Sequence, residues 1–252
     1  MNDPIKEYWD GCANEFGADQ HATAPDHWYR QHEIDEIVKN IPRNGSMLDV
    51  GCGNGYSTLR FQNNRPGLRI SAIDFSAPMI EAVPNKTGID FRVGDVRCIP
   101  YPNEFFDCVV SERCVINLMT WEEQQKAILE MRRVLRPGGK LVLVENFIDG
   151  LIELNKLRFL FGLPAINVRW HNRYLVEGEF IPFAKEHFNI KSRENIGNLY
   201  YLMSRILYAS MAQKEGKEPD YNHDINRIAS MMPSLPKYQY SPNEMYILRR
   251  KP

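Results

Sequence analysis

Between Leu48 and Thr58 the chain reads LDVGCGNGYST, an apolar run that closes on Asp49 and then three glycines alternating with Cys52 and Asn54. No other stretch restricts the fold as much. Glycines at 51, 53 and 55 supply backbone freedom that the interior of a helix or strand does not use. A short strand, SMLDV, leads into this loop, and a short helix leaves it and runs to NNRPG. Strand, glycine turn and helix in that order open an α/β unit.

The following hundred or so residues repeat the alternation. LRISAID is a second strand closing on Asp74, IDFRVGD a third closing on Asp95, FFDCVVS a fourth and KLVLVEN a fifth. SAPMIEAV opens a helix with Ser76 as N-cap and Pro78 in the first turn. In TWEEQQKAILEMRRVL, Thr120 and Glu123 make a capping box, and Ile128, Met131, Val134 and Leu135 share a face. The pattern predicts an α/β fold with a mostly parallel sheet and helices on both faces. Before it, DPIKEYWDGCANEF and DHWYRQHEIDEIVKNI read as helices joined by the loop GADQHATAP, a helical N-terminal cap over 1–42. After the core of 43–150, LIELNKLRFLFGLP and YLVEGEFIPFAKEHF read as helices and NIKSREN as a sixth strand. A helical insertion over about 198–235 follows, and YQYSPNEMYILRRK ends the chain as a strand or hairpin. The 252 residues fit one domain, with 151–252 on the acceptor side.

A formal net charge of −1 argues against a nucleic-acid partner. Arg132, Arg133 and Arg136 lie on a helix whose other face is apolar, so they read as a solvated face. The five cysteines form no CxxC pair, and no apolar leader precedes them, which points to a reducing cytoplasmic setting. No apolar run is long enough to span a bilayer, so no membrane partner is expected. His27 and His32 lack the i, i+4 spacing of a helical zinc pair and no HExxH occurs, so no metal is expected.

In an open parallel sheet, ligands bind beyond the carboxyl ends of the strands, where this loop lies. The dinucleotide fingerprint would need glycine at position 56, which is Tyr56, or at 58, which is Thr58. The P-loop lacks its Gly-Lys-Ser/Thr. The loop therefore does not read as a phosphate cradle, and S-adenosylmethionine, which carries no phosphate, remains. Asp49 suits its ammonium, Asp74 its ribose hydroxyls and Asp95 its adenine amino group. A nicotinamide dehydrogenase shares the sheet and is disfavoured by Tyr56. A non-catalytic module would keep the glycines and Asp74 and lack the acceptor pocket.

LDVGCGNG resembles the first motif of the class I S-adenosylmethionine-dependent methyltransferases, and the likeness continues through AIDFS, GDV, FDCVVSE and VLRPGGKLVLVE, over roughly residues 40–147. The resemblance implies a Rossmann-like fold with a seven-stranded sheet and lid elements at both ends of the chain. It implies that the loop Gly51, Cys52, Gly53, Asn54, Gly55 lines the cofactor and that Asp74 holds the ribose. Asp95 and Val96 would flank the adenine, with Phe75 and Met79 packed nearby. Glu112 and Arg113 would stand where the fourth strand meets the methyl group and the acceptor.

The acceptor expected is a small polar metabolite methylated on oxygen or nitrogen. FDCVVSERC lacks the Asp/Asn-Pro-Pro-Tyr motif of enzymes that methylate exocyclic amines of DNA bases. QHATAPDHWYRQHEI, SERCVINLMTW and RWHNRYL are similar to bacterial methyltransferases of surface-polysaccharide and secondary-metabolite pathways. Candidates for a general base are His171, Glu145 and His21. In RWHNRYL, Arg169 or Arg173 would clamp a phosphate or carboxylate. Met203, Tyr208, Met211, Met231 and Met232 are candidates to line the acceptor pocket, with core packing as the competing reading.

Overall fold

The computed structural model describes residues 3–234 and 239–251. Seven strands form one sheet: β1 (Asn44–Val50), β2 (Gly67–Asp74), β3 (Ile89–Val93), β4 (Phe106–Glu112), β5 (Leu135–Asn146), β6 (Phe188–Glu194) and β7 (Asn243–Arg250). Their order is β3-β2-β1-β4-β5-β7-β6. The first five run parallel, and β7 is antiparallel to both of its neighbours. The C-terminal segment contributes β7 as a single strand, and the Tyr238 end of the expected strand or hairpin lies outside the described residues.

Successive residues of the central strands face opposite sides, so each strand feeds two cores. Leu48, Val109, Leu141 and Leu143 pack with Ala127, Ile128 and Met131 of α5 (Trp121–Val134) and Phe180 of α7 (Glu177–His187). Met47, Cys108, Val110, Val142 and Val144 pack on the other face with Ile34 and Ile37 of α2 (His27–Asn40) and Phe61 of α3 (Tyr56–Asn64). This double burial explains why the strands read as near-continuous apolar runs.

Thr120 caps α5, accepting the Glu123 amide at 3.2 Å. The return half of the expected capping box is absent, because the Glu123 carboxylate takes Arg97 Nη1 at 2.6 Å instead. β5 starts at Leu135, earlier than the apolar run suggests, because Leu135 pairs with Phe106 across a register shift.

The cap and insertion sit at the carboxyl ends of the strands. α1 (Pro4–Phe16) is capped by Asp3 and tied to the core by Ser76 Oγ donating to Asp10 Oδ1 at 2.5 Å. α4 (Ala77–Glu81) starts at that same serine. α6 (Ile148–Leu160) follows β5. The insertion is α8 (Asn198–Tyr201), a π-helical stretch Leu202–Tyr208, α9 (Ala209–Lys214) and α10 (Asp224–Ser230). No helix among the described residues is long and apolar enough to cross a membrane.

Candidate functional site

β1 and β4 are neighbours in the sheet, while the chain between them runs out to β2 and β3 and back. At this reversal the glycine loop and the β4 end leave a crevice, which opens into a cavity of about 740 Å³. Gly51, Gly53, Asp74, Phe75, Met79, Asp95, Val96, Glu112 and Arg113 line it, as the sequence leads one to expect.

The glycines follow from geometry. Gly51 has φ +73°, and a Cβ there would lie 2.5 Å from Cys114 Sγ. Gly53 has φ +55°, and a Cβ would lie 2.7 Å from Thr23 Cγ2. L-residues rarely adopt such dihedrals. The loop amides are directed at the protein itself: those of Gly51 and Cys52 donate to Ile73 O, that of Gly53 to Asp74 Oδ2, and that of Gly55 to Cys52 O. A phosphate cradle would turn such amides outward. Asp74 Oδ1 accepts the Ser76 amide at 2.9 Å, so each carboxylate oxygen is fixed by one N–H and keeps further acceptor capacity. Burial pushes Asp74 up to about 6, against the pull of these two amides. At Asp95 burial opposes the charge, but Arg97, bonded to both oxygens, outweighs it and holds the carboxyl below the usual range. An acceptor carboxylate, apolar walls at Phe75, Met79 and Val96, and no phosphate cradle fit S-adenosylmethionine.

Other loop residues have internal work. Asp49 is buried, accepts Thr58 Oγ1 at 2.6 Å, and does not line the cavity; burial pushes it up to about 7. Cys52 packs into the core on the α2 side. Asn54 donates to Gly17 O at 2.9 Å and Asp19 O at 2.7 Å, fastening the N-terminal cap to the loop. Gly55, with φ +75°, precedes α3.

Of the three base candidates, only His171 reaches the cavity. Its ring stacks on Tyr8 at 4.3 Å and meets Trp9 edge-on. Nδ1 is buried without a hydrogen-bond partner among the described residues. Burial, with a smaller push from Arg169, lowers His171 to about 4, so the ring is uncharged at neutral pH. Glu145 is fully buried and accepts the amides of Cys114, Val115 and Ile116 and the Ser111 hydroxyl. It organises the turn after β4 instead of facing an acceptor. His21 is on the outer surface, bonded to Asp19.

The acceptor half departs further from expectation. Arg173 is held by Gln124 and Glu179 and does not line the cavity. None of the five methionine and tyrosine candidates lines it either; Met211, Met231 and Met232 are exposed. The π-helical turn is wider than an α-turn, so a stripe read at 3.6-residue period falls out of phase across it. Tyr201, Ser204, Arg205 and Ala209 face the cavity instead.

Beneath the site lie two ion pairs that sequence reading missed. Arg30 meets Glu112 at 2.6 Å and Arg113 meets Glu33 at 3.1 Å. Burial pushes Glu33 up to about 7, opposed by Arg113. Arg113 has φ +52°, an uncommon backbone state for a residue with a side chain. The available signal was Arg30 and Glu33 sharing the buried face of α2 with Ile34 and Ile37, since charges on an apolar face need partners. No group of three or more His, Cys, Asp or Glu among the described residues could hold a metal.

A family profile described as a methyltransferase domain matches residues 47–139. The chain is 30% identical over 197 residues to a malonyl-[acyl-carrier protein] O-methyltransferase of Enterobacter lignolyticus, covering 67% of this chain and 74% of that one. It is 32% identical over 125 residues to a demethylmenaquinone methyltransferase of Deinococcus radiodurans, covering 48% of this chain and 50% of that one. Against several such curated relatives the chain spans about half their length. Among solved structures, the complex of the Haloferax volcanii Trm112 methyltransferase activator with a methyltransferase aligns at TM-score 0.66 and 15% identity, covering 100% of each chain, which supports the fold. With the glycine loop, the strand-end acids and these likenesses together, the chain belongs to the class I S-adenosylmethionine-dependent methyltransferases.

Proposed function

We propose that this methyltransferase acts on oxygen or nitrogen of a small polar metabolite, such as a sugar or an intermediate of surface-polysaccharide or secondary-metabolite synthesis. We read the chain as a single domain working in the cytoplasm; its five cysteines are free. One observation carries the reading. The cavity that Asp74 and Gly51 line is also bordered by Asn146, Arg158, His171, Asn172, Tyr174 and Tyr201, which we read as its acceptor half. Its volume of about 740 Å³ suits a cofactor and a small acceptor together.

S-adenosylmethionine supplies an activated methyl group on a cationic sulfur. The chain supplies position and dryness. Asp74 holds ribose hydroxyls, Gly51 and Gly53 border the amino-acid end, and Phe75, Met79, Asp95 and Val96 form the adenine side. Glu112 and Arg113 fix the floor between the two halves. His171, a wall residue of the cavity, supplies an uncharged imidazole whose Nδ1 is sealed off, so Nε2 is the nitrogen that would take the acceptor's proton. Trp9, its indole N–H donating to Asn117 Oδ1 at 3.1 Å, closes the N-terminal side.

The test is transfer of labelled methyl from S-adenosylmethionine into cell extract separated into small metabolites, acyl carrier protein and RNA. Label in the small-metabolite fraction is the expected result. Label confined to carrier protein or RNA would refute the acceptor class while leaving the family intact.

A further inference from the structure

Six arginines line the cavity: Arg30, Arg97, Arg113, Arg158, Arg169 and Arg205. Four are matched by carboxylates: Arg30 by Glu112, Arg97 by Asp95 and Glu123, Arg113 by Glu33, and Arg205 by Asp26. Arg158 and Arg169 have no carboxylate within ion-pair distance among the described residues.

Arg158 is the unusual one. It projects from α6, is 8% exposed, and spends Nε on Pro164 O at 2.7 Å and Nη1 on Arg205 O. Nη2 makes no hydrogen bond among the described residues. A buried guanidinium held only by backbone carbonyls keeps its full charge to be answered, and truly buried charges are as a rule paired. Burial and the neighbouring Arg205 both act against that charge. The Arg205 whose carbonyl it holds lays its own guanidinium over Tyr201 and Tyr221, which also line the cavity. Arg169 is exposed and interacts with Tyr8 of α1 and with His171. Glu218 also borders this end, solvent-exposed and beyond ion-pair distance of either arginine.

We infer that the acceptor carries an oxyanion, a phosphate or a carboxylate, that docks on the free Nη2 edge of Arg158 and so supplies the missing partner charge. The inference rests on the acceptor reading above and sharpens it. A guanidinium with a free edge suits a planar or tetrahedral oxyanion, and sequestration from water strengthens the contact.

The experiment is calorimetric titration of the full chain with inorganic phosphate and, separately, with malonate, each with and without S-adenosylhomocysteine. One of the two oxyanions binds the parent, and which one binds identifies the group. Arg158→Gln weakens that binding by about tenfold or more, as expected for a lost charge-assisted bond. Arg158→Lys, which keeps the charge, retains most of it. S-adenosylhomocysteine affinity stays at the parent value in both variants, which also certifies their folding. If neither oxyanion binds the parent, or if Arg158→Gln binds as the parent does, the inference is overturned. Failure of S-adenosylhomocysteine to bind the parent would count instead against the cofactor site, with the oxyanion titration still readable.

Discussion

Asp74 accepts the amide of Gly53 at 2.8 Å, so the carboxylate closing the second strand fixes the glycine loop that follows the first. One side chain thus shapes the loop and lines the cavity. Asp74→Ala should cost about 1.5–3 kcal/mol of cofactor binding, roughly tenfold to a hundredfold in affinity. Because burial raises Asp74 to about 6, the parent should also lose affinity as pH falls through that value, when the acid becomes neutral and accepts less well. Calorimetry with S-adenosylhomocysteine from about pH 5 to about pH 8 checks both statements. A parent whose affinity is flat across this range, or a variant that binds as well as the parent, would remove Asp74 from the ribose contact.

The cofactor half was legible because each of its features is local. Glycines with positive φ and acids at strand ends are written within a few residues of the strands that place them. The succession of the strands along the chain followed from their apolar runs and turn residues, whereas their order in the sheet is set by contacts between distant segments. The acceptor half is assembled from distant segments. Arg158 meets Arg205 O across forty-seven positions, and Asp26 meets Arg205 across 179. No spacing rule announces such pairs. Glu145 shows the limit from the other side: a glutamate at the end of a central strand suggests chemistry, yet its oxygens are taken up by the amides of the next turn.

That arrangement makes Glu145 a measurable structural residue. Burial pushes it up to about 7, above the ordinary 4.5, so the folded chain holds its proton more tightly than the unfolded chain. The linked stability is complete below pH 4.5 and is lost as pH rises through about 7. Replacement by Gln removes that proton linkage. Urea midpoints at either end of this window should therefore differ less in Glu145→Gln than in the parent, by at most about 2–3 kcal/mol. Equal pH dependence in the two proteins would show that Glu145 does not titrate with folding.

Asp26 joins the N-terminal cap to the insertion. It caps α2 through the Tyr29 amide at 3.1 Å, accepts the Tyr200 hydroxyl at 2.7 Å and pairs with Arg205 at 2.5 Å. Asp26→Ala leaves Arg205 without its carboxylate in a largely buried position, a change that costs about 3–5 kcal/mol when a buried pair loses one partner. Limited proteolysis should then cut within 198–214 in the variant at protease levels that leave the parent whole. Parent-like resistance together with an unchanged urea midpoint would mean that the insertion is held by its apolar contacts alone.

His171 separates acceptor chemistry from cofactor binding. Its ring is packed against Tyr8 and Trp9, with Nδ1 buried and without a partner among the described residues, while the residue lines the cavity. His171→Ala should reduce turnover by about a hundredfold, the low end for a positioned base, because a pKa well below neutrality makes a weak one. Cofactor affinity should hold, since Asp74 and the glycine loop do not touch this ring. The pH profile adds a second reading. With His171 lowered to about 4, turnover in the parent should show no inflection at the ordinary histidine value of 6.5. Kinetics on the labelled acceptor, alongside calorimetry for the cofactor, give both quantities. Should turnover survive the substitution, proton removal must fall to solvent or to the acceptor itself, and the stacked histidine is then a wall of the cavity and nothing more.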